Sequence, residues 1–330
     1  MKTAAHLQDI YRNEDGSDIL YTIEEGVYVR DVVIRAGLEE EICIGHLSDI
    51  HFNACNQQDF DEADPVVMST YEHRHWLANG YTVPIAQRCF AFLDDADQIV
   101  LNGDTLDYLS HGCMELMDRE VWEKYPGILA TLGGHEVARR MEGKVPENTA
   151  REERLAILEA YWRHNIYYEA KLVKNKVLCI GLFNDQAYLY PIQKQKLEKD
   201  LALAREKGYI VLIFGHEPFA TGNPAHTNYS QDQAILKGDP TGFPRDMCSG
   251  EKSGSRITGG VLCNDITKEV YQMIVNSADV VKGIFAGHYH NHLYFDVIGH
   301  TPAGEEVIIP QYVNTATAYN NGHIMRILVK

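Results

Sequence analysis

The chain has 330 residues, 45% of them hydrophobic, and a formal net charge of −17 at pH 7. Such a length and apolar content support a sizeable core and exclude wholesale disorder. So acidic a surface repels phosphate backbones and anionic lipid, which argues against general nucleic-acid binding and membrane docking; a small anionic substrate stays possible, because a bound cation reverses the sign locally.

The opening residues, "MKTAAHLQDIYRNEDG", lack the apolar centre of a secretory leader. No run approaches the roughly 18 continuous apolar residues that cross a bilayer. "DILYTIEEGVYVRDVVIRAG" (18–37) predicts a hairpin turning at Glu24, Glu25 and Gly26. "EICIGHLSD" (41–49) predicts a strand, and Phe52 to Tyr81 follows without an assignable element. A helix is expected over Val83–Asp94, a strand over "QIVLNGD" (98–104) and another over "GILATLGG" (127–134). Thr149 and Glu152 form a capping-box pattern that opens a helix running to His164. "KVLCIGLF" (176–183) predicts a strand; Pro191 to Lys207 starts with proline and stops before Gly208, as helices do. "YIVLIFGH" (209–216) predicts a strand, and a long stretch rich in Gly, Pro, Ser and Asn covers Glu217 to Asp265. A helix over Ile266–Ser277, the strand "VVKGIFAGH" (280–288) and three strand-like runs complete the chain.

Several of these runs are almost wholly apolar, as strands covered on both faces are. The alternation of strand and helix predicts an α/β fold of two packed mixed sheets, a β-sandwich flanked by helices. No linker divides the chain, so residues 1–330 are expected to form one domain, with inserts or lids at about 52–81 and 217–265. The seven cysteines are odd in number, widely spaced and form no CxxC. Cys43, Cys89 and Cys179 lie in apolar runs and read as buried thiols, so a cytoplasmic, reducing location is expected.

Chemistry-bearing residues follow the strands. "LSDIHF" carries Asp49 and His51, "LNGDTLDY" carries Asp104 and Asp107, "LGGHE" carries His135, "IFGHEPF" carries His216, and "AGHYHNH" carries His288 and His290. Ligands of α/β sheets collect at the carboxyl ends of strands. Asp49 and His51 are two apart and would share a face of a regular strand. Clustered carboxylates and imidazoles suit Mn, Fe or Zn. Asp104 could bridge two such ions, and paired ions about 3.5–4 Å apart are a common device for hydrolysing phosphate esters.

The ordered set DxH, GDxxD, GxHE, GH and GHxH, from Asp49 to His290, resembles the calcineurin-like metallophosphoesterase family. The resemblance implies that family's fold and a phosphoesterase acting on a phosphate mono- or diester through in-line attack of a metal-bound hydroxide. It implies that Asp49, His51 and His290 hold one metal, that Asp104 bridges, and that His216 and His288 hold the second. His135 would be a general acid or phosphate contact, oriented by Asp107. The family's motif is GNHE, whose Asn gives an amide oxygen to the second metal; this chain has Gly134 there. Water could fill the gap; Asn102, His111 or a residue of the long loop could replace the Asn; or the second ion could bind poorly. The persistence of every other ligand and of the His135/Asp107 pair favours water. The resemblance extends to non-catalytic members that use the fold as a binding scaffold, which is the alternative reading that Gly134 supports.

Other residues carry less. His292 continues the alternation of His288 and His290 and is expected behind the ligands or at the surface. His73 and His75 in "YEHRHW" fit a solvated helix or loop. His111, just past the GDxxD motif, and Arg256, in the long loop, are candidate substrate contacts. "GDPTGF" (238–243) lacks the Gly-Lys-Ser/Thr of a phosphate-binding loop and reads as a turn.

Overall fold

A computed structural model of the chain describes residues 11–12, 18–19, 22–24, 26–78, 82–137, 149–185, 188–219, 264–290, 292–318 and 322–330. Strands β1 (Tyr11–Arg12) and β2 (Asp18–Ile19) pair in a small sheet of their own. The first large sheet holds β3 (Thr22–Glu24), β4 (Val27–Ile34), β5 (Ile42–Leu47), β6 (Gln98–Asn102) and β7 (Leu129–Thr131). The second holds β8 (Tyr168–Val173), β9 (Val177–Leu182), β10 (Ile210–Gly215), β11 (Val281–Ala286), β12 (Leu293–His300) and β13 (Glu306–Val313). The last strand, β14 (His323–Val329), crosses back to the first sheet and lies between β4 and β5. The spatial orders are β3-β4-β14-β5-β6-β7 and β12-β13-β11-β10-β9-β8. In the first sheet β5-β6-β7 run parallel, and in the second β9-β10-β11-β13 do.

The side-chain period of two sorts the strands into layers. Along β9 and β10, Val177, Cys179, Ile210, Leu212 and Phe214 face the first sheet, where they meet Ile42, Ile44, Val100 and Ile327. Their neighbours Leu178, Ile180, Val211 and Ile213 face outward, onto helices α7 (Pro191–Lys207) and α8 (Asp265–Val275) through Leu197, Leu201, Val270 and Ile274. The outer face of the first sheet is closed by Phe90 of α3 (Thr82–Phe92), Met117 of α4 (His111–Met117), and Leu155 and Leu158 of α6 (Thr149–Tyr161). The result is a four-layer α/β/β/α sandwich with three apolar seams. Strands buried on both faces cannot alternate with polar residues, which is why "IVLIFG" of β10 is buried at every position.

The stretch from Phe52 to Tyr81 is helical over much of its described length. It forms α1 (Gln57–Glu62) and α2 (Pro65–Ala78). Asn56 caps α1 by accepting from the amides of Gln58 and Asp59, and the Asp59 carboxylate accepts from the Asn56 amide in return. Asp64 accepts from the amides of Val66 and Val67 at the start of α2. These caps were present in the sequence. No apolar stripe accompanied them, and along α2 only Thr70 among the described side chains is buried. His73 is half-buried on α2. Of the stretch from Glu217 to Asp265, residues 220–263 lie outside the described residues, and with them Arg256 and the turn at 238–243. Cys89 and Cys179 are buried, but Cys43 is only half-buried, near the charged Asp97 and Arg326. Among the described residues all five cysteines are free, and no helix is long and apolar enough to cross a membrane.

Candidate metal centre

The carboxyl ends of β5, β6, β7, β10 and β11 come together. β5 delivers Asp49 and His51, β6 delivers Asp104 and Asp107, and β7 leads into the short helix α5 (Gly134–Val137) with His135. On the other sheet β10 delivers His216, and β11 delivers His288 and His290. The side chains converge because the backbone turns, not because a regular strand alternates. Asp49, His51, Asp104, His288 and His290 all have positive φ, between 51° and 70°, and they are five of the eight non-glycine residues in that state among those described. Left-handed backbone is costly for ordinary residues and collects at functional sites. The expectation that Asp49 and His51 share a face of a strand is therefore corrected: β5 stops at Leu47. Close packing adds to the turning. A Cβ at Gly287 would lie 2.6 Å from Asp49 Oδ2 and still nearer the Ser48 hydroxyl, so only glycine lets β11 approach β5 there.

The ligand atoms of Asp49, His51, Asp104 and His290 lie within 4.8 Å of one another, and so do those of Asp104, His216 and His288. Asp104 belongs to both groups. His51 Nε2 and His290 Nε2 face each other at 3.1 Å, and His290 Nε2 stands 3.1 Å from Asp49 Oδ1. His216 Nε2 is 3.0 Å from Asp104 Oδ2. The backs of these rings are tied down. His216 Nδ1–H donates to the carbonyl of Asn102 at 2.8 Å, and His51 Nδ1 pairs with Asp107 Oδ1 at 3.1 Å. A ring held at Nδ1 presents Nε2 outward, which is how coordinating histidines are oriented.

The donor set fits divalent cations. Asp49 Oδ1, His216 Nε2 and His288 Nε2 are buried and make no hydrogen bond. Asp49, Asp104 and Asp107 are all at most 2% exposed. Among them Arg74 pairs with Asp107, which leaves Asp49 and Asp104 facing imidazoles. Buried carboxylates need a counter-charge. Burial alone would raise the Asp49 pKa, yet His290 and His216 hold it below the ordinary range, and burial with the nearby charge of His216 pushes His288 down to about 3. His288 is thus a neutral ring with a lone pair to give.

Two supports were not foreseen. The Glu136 carboxylate accepts from the amides of Gly133, Asp104, Thr105 and Leu106, stapling the loop after β6 to the loop after β7. Burial and the Asp104 charge raise its pKa to about 7. Arg74, from α2, donates through Nε to both Asp107 oxygens at 2.7–2.8 Å. No sequence pattern announces Arg74. Asp185 was also passed over. It follows β9 at the same strand edge, is 4% exposed, and sits beside Gly134. Its signal, an acid just after the apolar run "KVLCIGLF", was available.

The structure puts His135 against Asp107: its Nδ1–H donates to the Asp107 carbonyl at 2.8 Å, and its Nε2 is 3.8 Å from Asp104 Oδ2. It does not place Asn102 or His111 near Gly134. The Asn102 amide donates toward His46 Nε2 and the carbonyls of Gly215 and Phe285, and its oxygen accepts from Thr131. His111 Nε2 pairs with Glu62 at 3.1 Å, on a cavity of about 300 Å³ that none of the clustered Asp and His residues lines. His292 is not at the surface: it is 5% exposed and packs against His323.

No protein-family model matches the chain, and no curated protein matches it. Solved structures do. A dimetal phosphatase from Danio rerio aligns over 84% of this chain and 88% of its own at 11% identity, with a TM-score of 0.43. A purple acid phosphatase from yellow lupin seeds aligns over 96% of this chain and 48% of its own, at 12% identity and a TM-score of 0.45. A putative 5'-nucleotidase from Staphylococcus aureus aligns over 88% and 51%, at 13% identity and a TM-score of 0.40. The chain thus spans about half the length of the last two. Phosphatases and nucleotidases are what it resembles; the case for a metal centre rests on its own side chains.

Proposed function

We propose that the chain is a metal-dependent phosphoesterase that hydrolyses a small phosphate mono- or diester. The observation that carries the reading is that Asp104 belongs to both ligand groups, so one carboxylate stands between two candidate cation positions. Asp49, His51 and His290 would hold one ion, and His216 and His288 the other, with Asp104 common to both. Ions bound there, of the Mn, Fe or Zn kind, supply Lewis acidity and a nucleophile at neutral pH.

The chain's residues supply the rest. His135 donates its Nδ1–H to Asp107, which turns Nε2 toward the ligand cluster. From there it can give a proton to the departing alcohol oxygen as the P–O bond breaks. Glu136 keeps the loops of Asp104 and His135 in fixed relation. Arg74 braces Asp107 and places a guanidinium, the group best shaped for phosphoryl oxygens, beside the cluster. The net charge of −17 favours small soluble esters over nucleic acid or anionic membrane. We place the protein in the cytoplasm and read residues 1–330 as one catalytic domain.

The test is elemental analysis of the purified chain beside release of nitrophenol from mono- and bis-nitrophenyl phosphate with added Mn. Two ions per chain and turnover lost on chelation are expected. Metal binding without turnover under any divalent ion would favour the alternative, an inactive scaffold on this fold, which the missing side chain at Gly134 supports. No metal binding at all would end both.

A further inference from the structure

We infer that Asp185 is a ligand of the second cation, standing in for the side chain that Gly134 lacks; this rests on the two-cation reading above. The expectation was that water fills the gap at Gly134. The space is already claimed. A Cβ built on Gly134 would lie 2.8 Å from Asp185 Oδ1 and 3.6 Å from its Cγ. From bond lengths, an asparagine at position 134 would carry its own amide oxygen about 2.4 Å from its Cβ. The carboxylate oxygen of Asp185 therefore reaches nearly the place where that amide oxygen begins its search for the ion, approaching from β9 instead of β7.

Three features support the assignment. Asp185 is 4% exposed, so its carboxylate is held inside the fold next to Gly134. It leaves a strand end on the same edge as every other candidate ligand, next to Asn184, whose side chain is fixed by the backbone of Glu217, the residue after His216. The neighbouring Gly133 backbone abuts Asp104 and His216, so the 133–134 segment borders the second group directly. Asp104, His216 and His288 group within 4.8 Å without Asp185; it would join them from the side of Gly134. The exchange also changes the chemistry, because an anionic carboxylate replaces a neutral amide and the site carries one more negative charge.

The swap is testable with Mn alone, by calorimetric titration of the chelated full chain and metal analysis. Asp185→Ala should weaken the second Mn by roughly 10- to 100-fold or more while leaving the first unchanged. Asp185→Asn, isosteric and still an oxygen donor, should fall between wild type and Asp185→Ala. Gly134→Asn alone should gain nothing, since its Cβ meets the carboxylate, whereas Gly134→Asn with Asp185→Ala should recover the second ion. Equal affinities across Asp185, Asn and Ala, or tightening by Gly134→Asn alone, overturn the inference. Asp104→Asn separates the levels. If it loses both ions while Asp185→Ala keeps both, the phosphoesterase reading stands and only this assignment falls; if wild type binds no second ion, the assignment falls with the two-cation reading.

Discussion

The two halves of the candidate centre draw on both sheets, yet they are supported differently. Behind the Asp49/His51/His290 half stands a charged brace: Asp107 accepts from Arg74 and Asn53 and pairs with His51. Behind His216, in the Asp104/His216/His288 half, stands a neutral one. The Asn102 carbonyl fixes His216, and the Asn102 side chain is held by His46, Thr131 and two strand-end carbonyls. The neutral half is also the one missing a side chain at position 134. A neutral scaffold of backbone and amide contacts keeps its shape when one ligand is exchanged. A brace that depends on charge pairs does not, because removing one partner strands a buried charge.

The largest effect tests what the halves share. Asp104→Asn removes the only carboxylate common to both groups. Both ions should be lost, and turnover should fall by roughly 10³-fold or more, several kcal/mol of charge stabilisation; retention of two ions would break the comparison at its root. Next, His51→Ala and His216→Ala should separate the halves. Each should cost one ion, and competition titration should show the survivor bound near its wild-type affinity. If either variant loses both ions, the halves are one cooperative unit. Third, Arg74→Ala should reduce turnover roughly 10- to 100-fold, the usual cost of removing a group that orients a ligand. It should do so with the ion of the second half undisturbed. Arg74→Lys should not rescue it, since an ammonium cannot make the fork that spans both Asp107 oxygens.

What the sequence made readable divides along the same line. Strands and their ends were plain because they combine unbroken apolar runs with an acid or imidazole just beyond, and that signal located Asp49, Asp104, His216 and His288 without any tertiary information. The sandwich followed from the doubly buried runs. The crossing of β14 back to the first sheet did not, since nothing in "HIMRILVK" names its neighbours. The turns that converge the ligands were read as strand alternation, because a left-handed residue that is not glycine leaves no trace in composition. Arg74 could not be found, because α2 lacks an apolar stripe and its arginine meets Asp107 only through tertiary packing. Asp185 could have been found by the rule applied everywhere else. It lies just past the apolar run "KVLCIGLF" but outside the family-like motifs.

The smallest expected effect probes the neutral brace in the chelated chain. His46 is fully buried against Phe214, and burial pushes its pKa down to about 3 from an ordinary 6.5. The Asn102 amide donates to its Nε2, a contact that exists only while that nitrogen is unprotonated. The unfolded chain therefore binds a proton at higher pH than the folded one, so stability is full above pH 6.5 and declines as pH falls toward 3. At pH 5.5 the loss from this one ring is about 1.4 kcal/mol, one decade of proton binding below the unfolded value. Urea melts at pH 7.5 and 5.5 should show a loss to which this ring contributes, and His46→Gln, which keeps an acceptor for Asn102 but does not titrate, should shrink it by about that amount. Asp107 has the same sign in a lower pH window. Burial would raise its pKa, but His135, His51 and Arg74 hold it far below the ordinary range, so the stability it contributes is intact above about pH 4 and is lost only in stronger acid. Mild acid should thus soften the half behind Asn102 while the half behind Asp107 holds; a loss of stability at pH 5.5 that His46→Gln leaves untouched would show that the two braces do not differ in this way.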